Sequence, residues 1–174
     1  MVEVTTNEQQ VKQDQLFLKI EDGAVVHLRS NLVHIMRHYF PNNQPKFVLC
    51  LGKECKICEA GKNQRKHAYF YFGSVNGDEG IIQLPPSCFF DMNEVERLTK
   101  TEKRDFEWVI GKSGTGQQTK YATIKGEKID HMTDEQVAAN NERLVKIISK
   151  IEFKMREAYD AITGGHQDGT PSEG

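Results

Sequence analysis

No stretch of this sequence comes near the roughly 20 consecutive apolar residues of a membrane-spanning helix. The opening residues, Met1 to Gln15, are polar and lack the apolar run of a secretion signal. Both absences lead to the expectation of a cytoplasmic chain. Cysteine is scarce, at four residues in 174, and without a secretion signal these four do not read as a disulfide framework. Excess charge is missing as well: 23 Lys and Arg stand against 25 Asp and Glu, which excludes a surface uniformly coated in positive charge. Internal repeats are absent. So are a Ser/His/Asp order, paired buried carboxylates and an open-sided metal motif, and the chain therefore reads as non-enzymatic. Gly111-Lys112-Ser113 is superficially like the end of a phosphate loop, but Phe106 occupies the position of that loop's first glycine. Strands are also expected on both sides, where phosphate-loop chemistry needs a following helix.

What is present suits one domain. A hydrophobic content of 37% over this length can supply one ordinary core. Residues 1–15 read as a flexible leader. Leu16–Ile20, the turn Glu21-Asp22-Gly23 and Ala24–Arg29 predict a β-hairpin. Asn31 to Phe40 fits strand and helix about equally. Further strands are expected at Phe47–Leu49, His67–Val75, Ile81–Leu84, Phe106–Ile110 and Lys120–Ile124, with a short helix capped by Ser87 between the third and fourth of them. Many short strands around one helix predict a small closed or partly open barrel. Thr133-Asp134-Glu135-Gln136 forms a capping box ahead of a long amphipathic helix. Leu144, Ile148, Ile151, Met155, Ala158 and Ile162 recur along that helix at steps of three or four. This stripe must be buried, preferably on the chain's own barrel, the alternative being a dimer seam; the chain is accordingly expected as a monomer or weak homodimer. Residues 164–174 read as a disordered acidic tail.

Three of the four cysteines, Cys50, Cys55 and Cys58, fall within nine residues. A Cys-x-x-Cys turn with a third thiol close by is the donor set of structural zinc, which takes thiolates and imidazoles in a closed tetrahedron. One Zn²⁺ per chain is expected. For the fourth ligand His38 is the first choice, with His34, His67 and Cys88 as alternatives; three reduced cysteines packed in a core are the competing reading.

Charge is uneven along the chain. From Lys46 to Phe72 there are six Lys or Arg and two acids, whereas from Glu157 to Gly174 there are four acids and no Lys or Arg. In the strand His67–Phe72, period-2 geometry sends Ala68, Phe70 and Phe72 to one face and Tyr69 and Tyr71 to the other. The all-apolar set belongs in the core, together with Phe106, Trp108 and Ile110. Tyr69 and Tyr71 are then expected to face outward near Lys66, as the stacking platform of a single-strand binder. Lys112, Lys120 and Tyr121 flank the glycine-rich connection and complete the predicted nucleic-acid-binding set.

These features, in this order, carry a resemblance. They are Leu16-Phe17-Leu18-Lys19-Ile20-Glu21-Asp22-Gly23, a histidine-bearing segment, the Cys50, Cys55 and Cys58 cluster, the aromatic strand ending at Val75, Leu84-Pro85-Pro86-Ser87, and Gly111-Lys112-Ser113-Gly114-Thr115-Gly116 leading to Thr119-Lys120-Tyr121. Over about residues 16–124 the chain resembles the zinc-containing single-stranded-DNA-binding proteins of tailed bacteriophages. The resemblance implies a mainly β (α+β) fold, an OB-fold-like five-stranded barrel over residues 16–130 with a zinc-binding insertion around 34–66; the amphipathic helix read from the capping box and the apolar stripe follows it over 133–163. It implies a protein that coats and protects single strands during phage-type DNA replication, recombination and repair. Its partners would be single-stranded DNA and replication or recombination proteins. The tail departs from the family pattern, being only weakly acidic and without a hydrophobic end. The other readings are a zinc-ribbon module that docks a protein through its C-terminal helix, and an RNA-binding OB protein.

Overall fold

The computed structural model describes residues 16–164. The leader expected over 1–15, and the expected tail past Gly164, lie outside these residues. The strands are β1 (Ala24–Leu28), β2 (Val33–Tyr39), β3 (Phe47–Leu49), β4 (Arg65–Val75), β5 (Asp78–Leu84), β6 (Phe106–Ser113) and β7 (Lys120–Lys128). The helices are α1 (Lys56–Ala60), α2 (Pro86–Thr99) and α3 (Asp134–Thr163). This is a mixed α+β fold with a seven-stranded sheet in the order β3-β2-β4-β1-β6-β7, β5 pairing with β4. Where five strands in a barrel are expected, there are seven, and no pairing among the described residues joins β3 to β7 to close the sheet. No helix among the described residues is long and apolar enough to cross a membrane.

The chain divides into two compact units. The first takes in the chain up to Val33 and Tyr69–Leu144; the second takes in His34–Ala68 and the chain from Val145 onward.

In the first unit β1 alternates as a strand should, with Ala24, Val26 and Leu28 buried. Its register places Val26 opposite Val75 of β4 and opposite Trp108 of β6. Both edges of β1 are therefore taken, so the expected Leu16–Ile20 hairpin arm has no place beside it. That segment lies on β5 instead, through a parallel bridge between Phe17 and Ile81 and a bond from Leu18 N to Ile81 O of 2.9 Å. Gly73 makes the β1–β4 approach possible: a Cβ there would lie 2.1 Å from the His27 carbonyl oxygen. Phe106, Trp108 and Ile110 are buried, and the Trp108 indole N–H donates to Lys103 O at 2.9 Å. Ser87 does not cap α2. The helix starts two residues earlier than such a cap implies, at Pro86 with Pro85 in the cap position, where a fixed φ and a missing N–H cost nothing.

Tyr69 and Tyr71 correct another expectation. They are 7% and 3% exposed and belong to the same buried cluster as Leu84, Cys88, Met92 and Trp108. Phe70 and Phe72 are buried as well, so β4 is covered on both faces from Ala68 to Val75. Alternation exposes one set of side chains only where a strand has one wet face, and this strand has none. The Tyr69 ring stacks on Phe89 of α2 at 3.9 Å. Burial, and then the negative Glu96, hold the Tyr71 hydroxyl above its usual range.

The capping box is present: Gln136 N donates to Thr133 Oγ1 at 3.2 Å, and Thr133 N to Gln136 Oε1 at 3.0 Å. Along α3, Leu144 in the first unit and Ile148, Met155, Ala158 and Tyr159 in the second are buried, whereas Ile162 at the stripe's end is 42% exposed. A single chain covers most of the stripe.

Candidate metal centre and cationic aromatic surface

The candidate metal ligands converge within the second unit because a hairpin and a knuckle meet. The β2–β3 register pairs Arg37 with Leu49, His38 with Val48 and Tyr39 with Phe47. Cys50 follows directly, its N–H donating to Met36 O at 3.0 Å. After a 3-10 turn over Gly52–Glu54, Cys55 begins α1 and Cys58 sits one turn along it. Gly61 ends that helix at φ +70°, a left-handed conformation that glycine adopts without Cβ strain.

Nε2 of His38 and the sulfurs of Cys50, Cys55 and Cys58 all lie within 4.8 Å of one another. His38 Nε2 is 3.4 Å from Cys55 Sγ and 3.4 Å from Cys58 Sγ, and the Cys50 and Cys58 sulfurs are 3.5 Å apart. With sulfur at about 2.3 Å and nitrogen at about 2.0 Å from a central ion, the edges of a tetrahedron measure about 3.5–3.8 Å. The observed separations fit those edges, and the group can hold a metal ion. Of the alternative fourth ligands, Cys88 is fully buried in the first unit's core, its thiol pushed up by that burial. His34 and His67 lie against each other, with Nε2 of the first 2.8 Å from Nδ1 of the second, outside the cluster.

The surroundings suit thiolates. Burial opposes ionisation of Cys55, but the backbone amides of Cys58, Leu51 and Ile57 and the His38 ring outweigh it and draw the thiol down to about 6. Burial and the neighbouring Cys50 push the Cys58 thiol up, against the pull of Arg65. Arg65 reaches Cys50 Sγ at 3.2 Å and Cys58 Sγ at 3.5 Å, and donates to Gly52 O at 3.1 Å. His38 Nδ1 lies 3.1 Å from Asn63 Oδ1, an acceptor that holds the ring proton on Nδ1 and frees Nε2 for the cluster. Asn63 is itself held by its donation to Tyr39 O at 2.8 Å. Behind the cluster, Ala158 and Tyr159 pack with Val48, Cys50, Cys55 and Ile57, and Lys56 N donates to the Tyr159 hydroxyl at 3.0 Å.

With His38 buried on one face of β2, Arg37 and Tyr39 belong to the other. The Arg37 guanidinium lies 3.6 Å from the Phe47 ring centroid, Phe47 and Tyr39 are 5.1 Å apart, and Lys66 Nζ is 5.4 Å from the Tyr39 ring. Burial draws the Arg37 guanidinium down to about 10, which leaves it charged at neutral pH. Two cations and two aromatic rings thus alternate on one surface, with Tyr39 36% exposed.

Of the predicted nucleic-acid-binding residues, Lys112, Lys120 and Tyr121 come together in the first unit, lining an open groove of about 340 Å³. The β6–β7 register sets Lys112 opposite Tyr121, and Asp22 Oδ1 accepts the Lys112 backbone N–H at 2.8 Å. Lys66 lies on the second unit's aromatic surface. Tyr69 and Tyr71 are in the core and present no ring face to a base. Arg37, Tyr39 and Phe47 are not among the residues expected from the sequence to bind nucleic acid. The alternation that puts Arg37 and Tyr39 on one face is legible only once Asn31–Phe40 is known to be a strand, and Phe47 joins them through the register that pairs it with Tyr39.

No family model matches the chain, and no curated protein or solved structure matches it.

Proposed function

We propose that this protein binds single-stranded DNA without catalysing a reaction, and that a structural Zn²⁺ at His38, Cys50, Cys55 and Cys58 braces its second unit. The observation that carries the binding reading is the run Arg37, Phe47, Tyr39 and Lys66. Aromatic faces interleaved with cations hold bases by stacking and phosphates by charge, with little regard to sequence. The lysines and Tyr121 of the β6–β7 groove add the same chemistry. Three thiolates and an imidazole complete zinc's tetrahedron and leave no position for substrate. Three thiolates also exceed the ion's charge by one, which Arg65 offsets. The resemblance to the zinc-containing single-strand binders of tailed bacteriophages, and with it an OB-type arrangement of β1 and β4–β7, belongs to this reading.

Fluorescence anisotropy with an oligo-dT strand, its duplex and the matching RNA tests it. DNA single strands should bind tightest, with affinity falling steeply as salt rises because phosphate contacts release counterions. Equal affinity for the duplex, or no salt dependence, overturns it; tighter RNA binding moves the reading to an RNA partner. Docking of a partner protein along α3 is the second reading, favoured by Phe153 at 65% and Val145 at 50% exposure. That association would respond weakly to salt.

A further inference from the structure

The first unit holds an open cavity of about 400 Å³ whose apolar wall is made by Leu32, Tyr71 and Phe89. Its volume lies within the roughly 300–1,000 Å³ of small-ligand clefts. Four charged side chains border it, and their signs cancel: Glu96 and Glu102 against Lys103 and Arg104. Arg104 pairs with Glu102 at 2.8 Å, and Glu96 Oε2 accepts the Lys103 backbone N–H at 2.8 Å. A cavity balanced in this way has no preference for a polyanion. It suits a neutral, planar group with a polar edge.

Two amides supply the partner for that edge. The Lys103 ammonium donates to Asn93 Oδ1, and the Arg104 guanidinium donates to Asn31 Oδ1. Both cations carry donors only, so each amide must turn its oxygen toward the cation and its NH₂ away. Among the described residues neither NH₂ meets an acceptor, and Glu96 Oε1 meets no donor. The lining therefore offers two N–H donor groups and one carboxylate acceptor. Thymine and uracil carry the complement in kind and number on their pairing edge, two carbonyls flanking one N–H. Cytosine, with an amino group in place of one carbonyl and a bare ring nitrogen, does not.

We infer that this cavity takes a single thymine or uracil base splayed out of a bound strand, its ring against Phe89 and Leu32 and its edge at Asn31, Asn93 and Glu96. The inference rests on the single-strand reading above, to which it adds base selectivity at one position. The phosphates stay outside, so base preference and salt dependence arise from different contacts.

Binding of dT10, dC10 and rU10 at one salt concentration, with free thymidine followed by ligand-observed NMR, provides the test. Cytosine is the comparison because neither pyrimidine strand stacks strongly on itself. The dT strand should bind on the order of tenfold tighter than the dC strand, the scale of one well-matched base edge. Asn93→Ala, and independently Asn31→Ala, should bring that ratio close to one, with melting curves establishing that both variants fold. The rU strand should keep the preference if the edge alone is read. Equal dT and dC affinities with a steep salt slope overturn the cavity assignment and leave the strand reading standing. Thymidine contacts that Asn93→Ala abolishes, without binding of any strand, sustain the cavity and overturn the strand reading. The absence of both overturns both.

Discussion

Tyr39 is the residue on which the proposed binding surface turns, since its ring lies beside both Phe47 and Lys66 while more than a third of the residue meets solvent. Tyr39→Ala should weaken single-strand binding by about 1–3 kcal/mol, the range for one base–aromatic stack. Titration beside a urea melt checks this: binding should fall while the melt moves by no more than about 0.5 kcal/mol, as for other surface changes. Asn63 acts at one remove, by fixing which nitrogen of His38 carries the proton. Asn63→Ala should lower metal affinity about 10–100-fold, measured by competition with a chromophoric chelator. His34 supplies a pH dependence. Burial, reinforced by the charge of His67, holds its ring below the ordinary 6.5, so on acidification the unfolded chain takes up the proton before the folded one does. The stability present above pH 6.5 is then lost as pH falls through that value toward the lower folded one. Urea midpoints at about pH 7.5 and about pH 5.5 should show that loss, and it should shrink in His34→Gln.

Among the elements, β4 and α3 depart most from what local pattern conveys. The sequence of β4 alternates in a way that licenses one wet face, yet α2 lies over Tyr69 through Phe89, while Arg143 of α3 stands 4.6 Å from the Phe72 ring. Alternation records which side chains share a face; only the packed neighbours decide whether that face is dry. The stripe on α3 was legible because a 3.6-residue period is local, and so was its capping box. Where the stripe packs was not, and its C-terminal part lies against the cysteine cluster through Ala158 and Tyr159. Deleting residues 133–174 should therefore lower both stability and metal retention. Sedimentation equilibrium should find a monomer before and after the deletion, since one chain already covers Leu144, Ile148 and Met155.

For the molecule as a whole, the division into two units predicts an uneven response to metal removal. In unit two the buried cluster around the cysteines is small, Val48, Ile57, Ala158 and Tyr159 packing with Cys50 and Cys55, so a metal ion held there would supply much of the folding free energy of that region. Unit one holds Trp108 in a core of its own. After chelation, amides in residues 34–68 should exchange rapidly with solvent while Trp108 fluorescence keeps its buried character. Simultaneous loss of both would mean that the units fold as one. The three clustered thiols, the strands that follow them and the amphipathic helix are legible in the chain alone, because each follows from covalent spacing or from a period of a few residues. Tertiary structure alone decided which histidine completes the cluster, that Tyr69 and Tyr71 are core residues, that the sheet has seven strands, and that Arg37, Phe47, Tyr39 and Lys66 share a surface. Those outcomes depend on contacts between residues distant in the chain, and no local pattern encodes which distant partner occupies a given face.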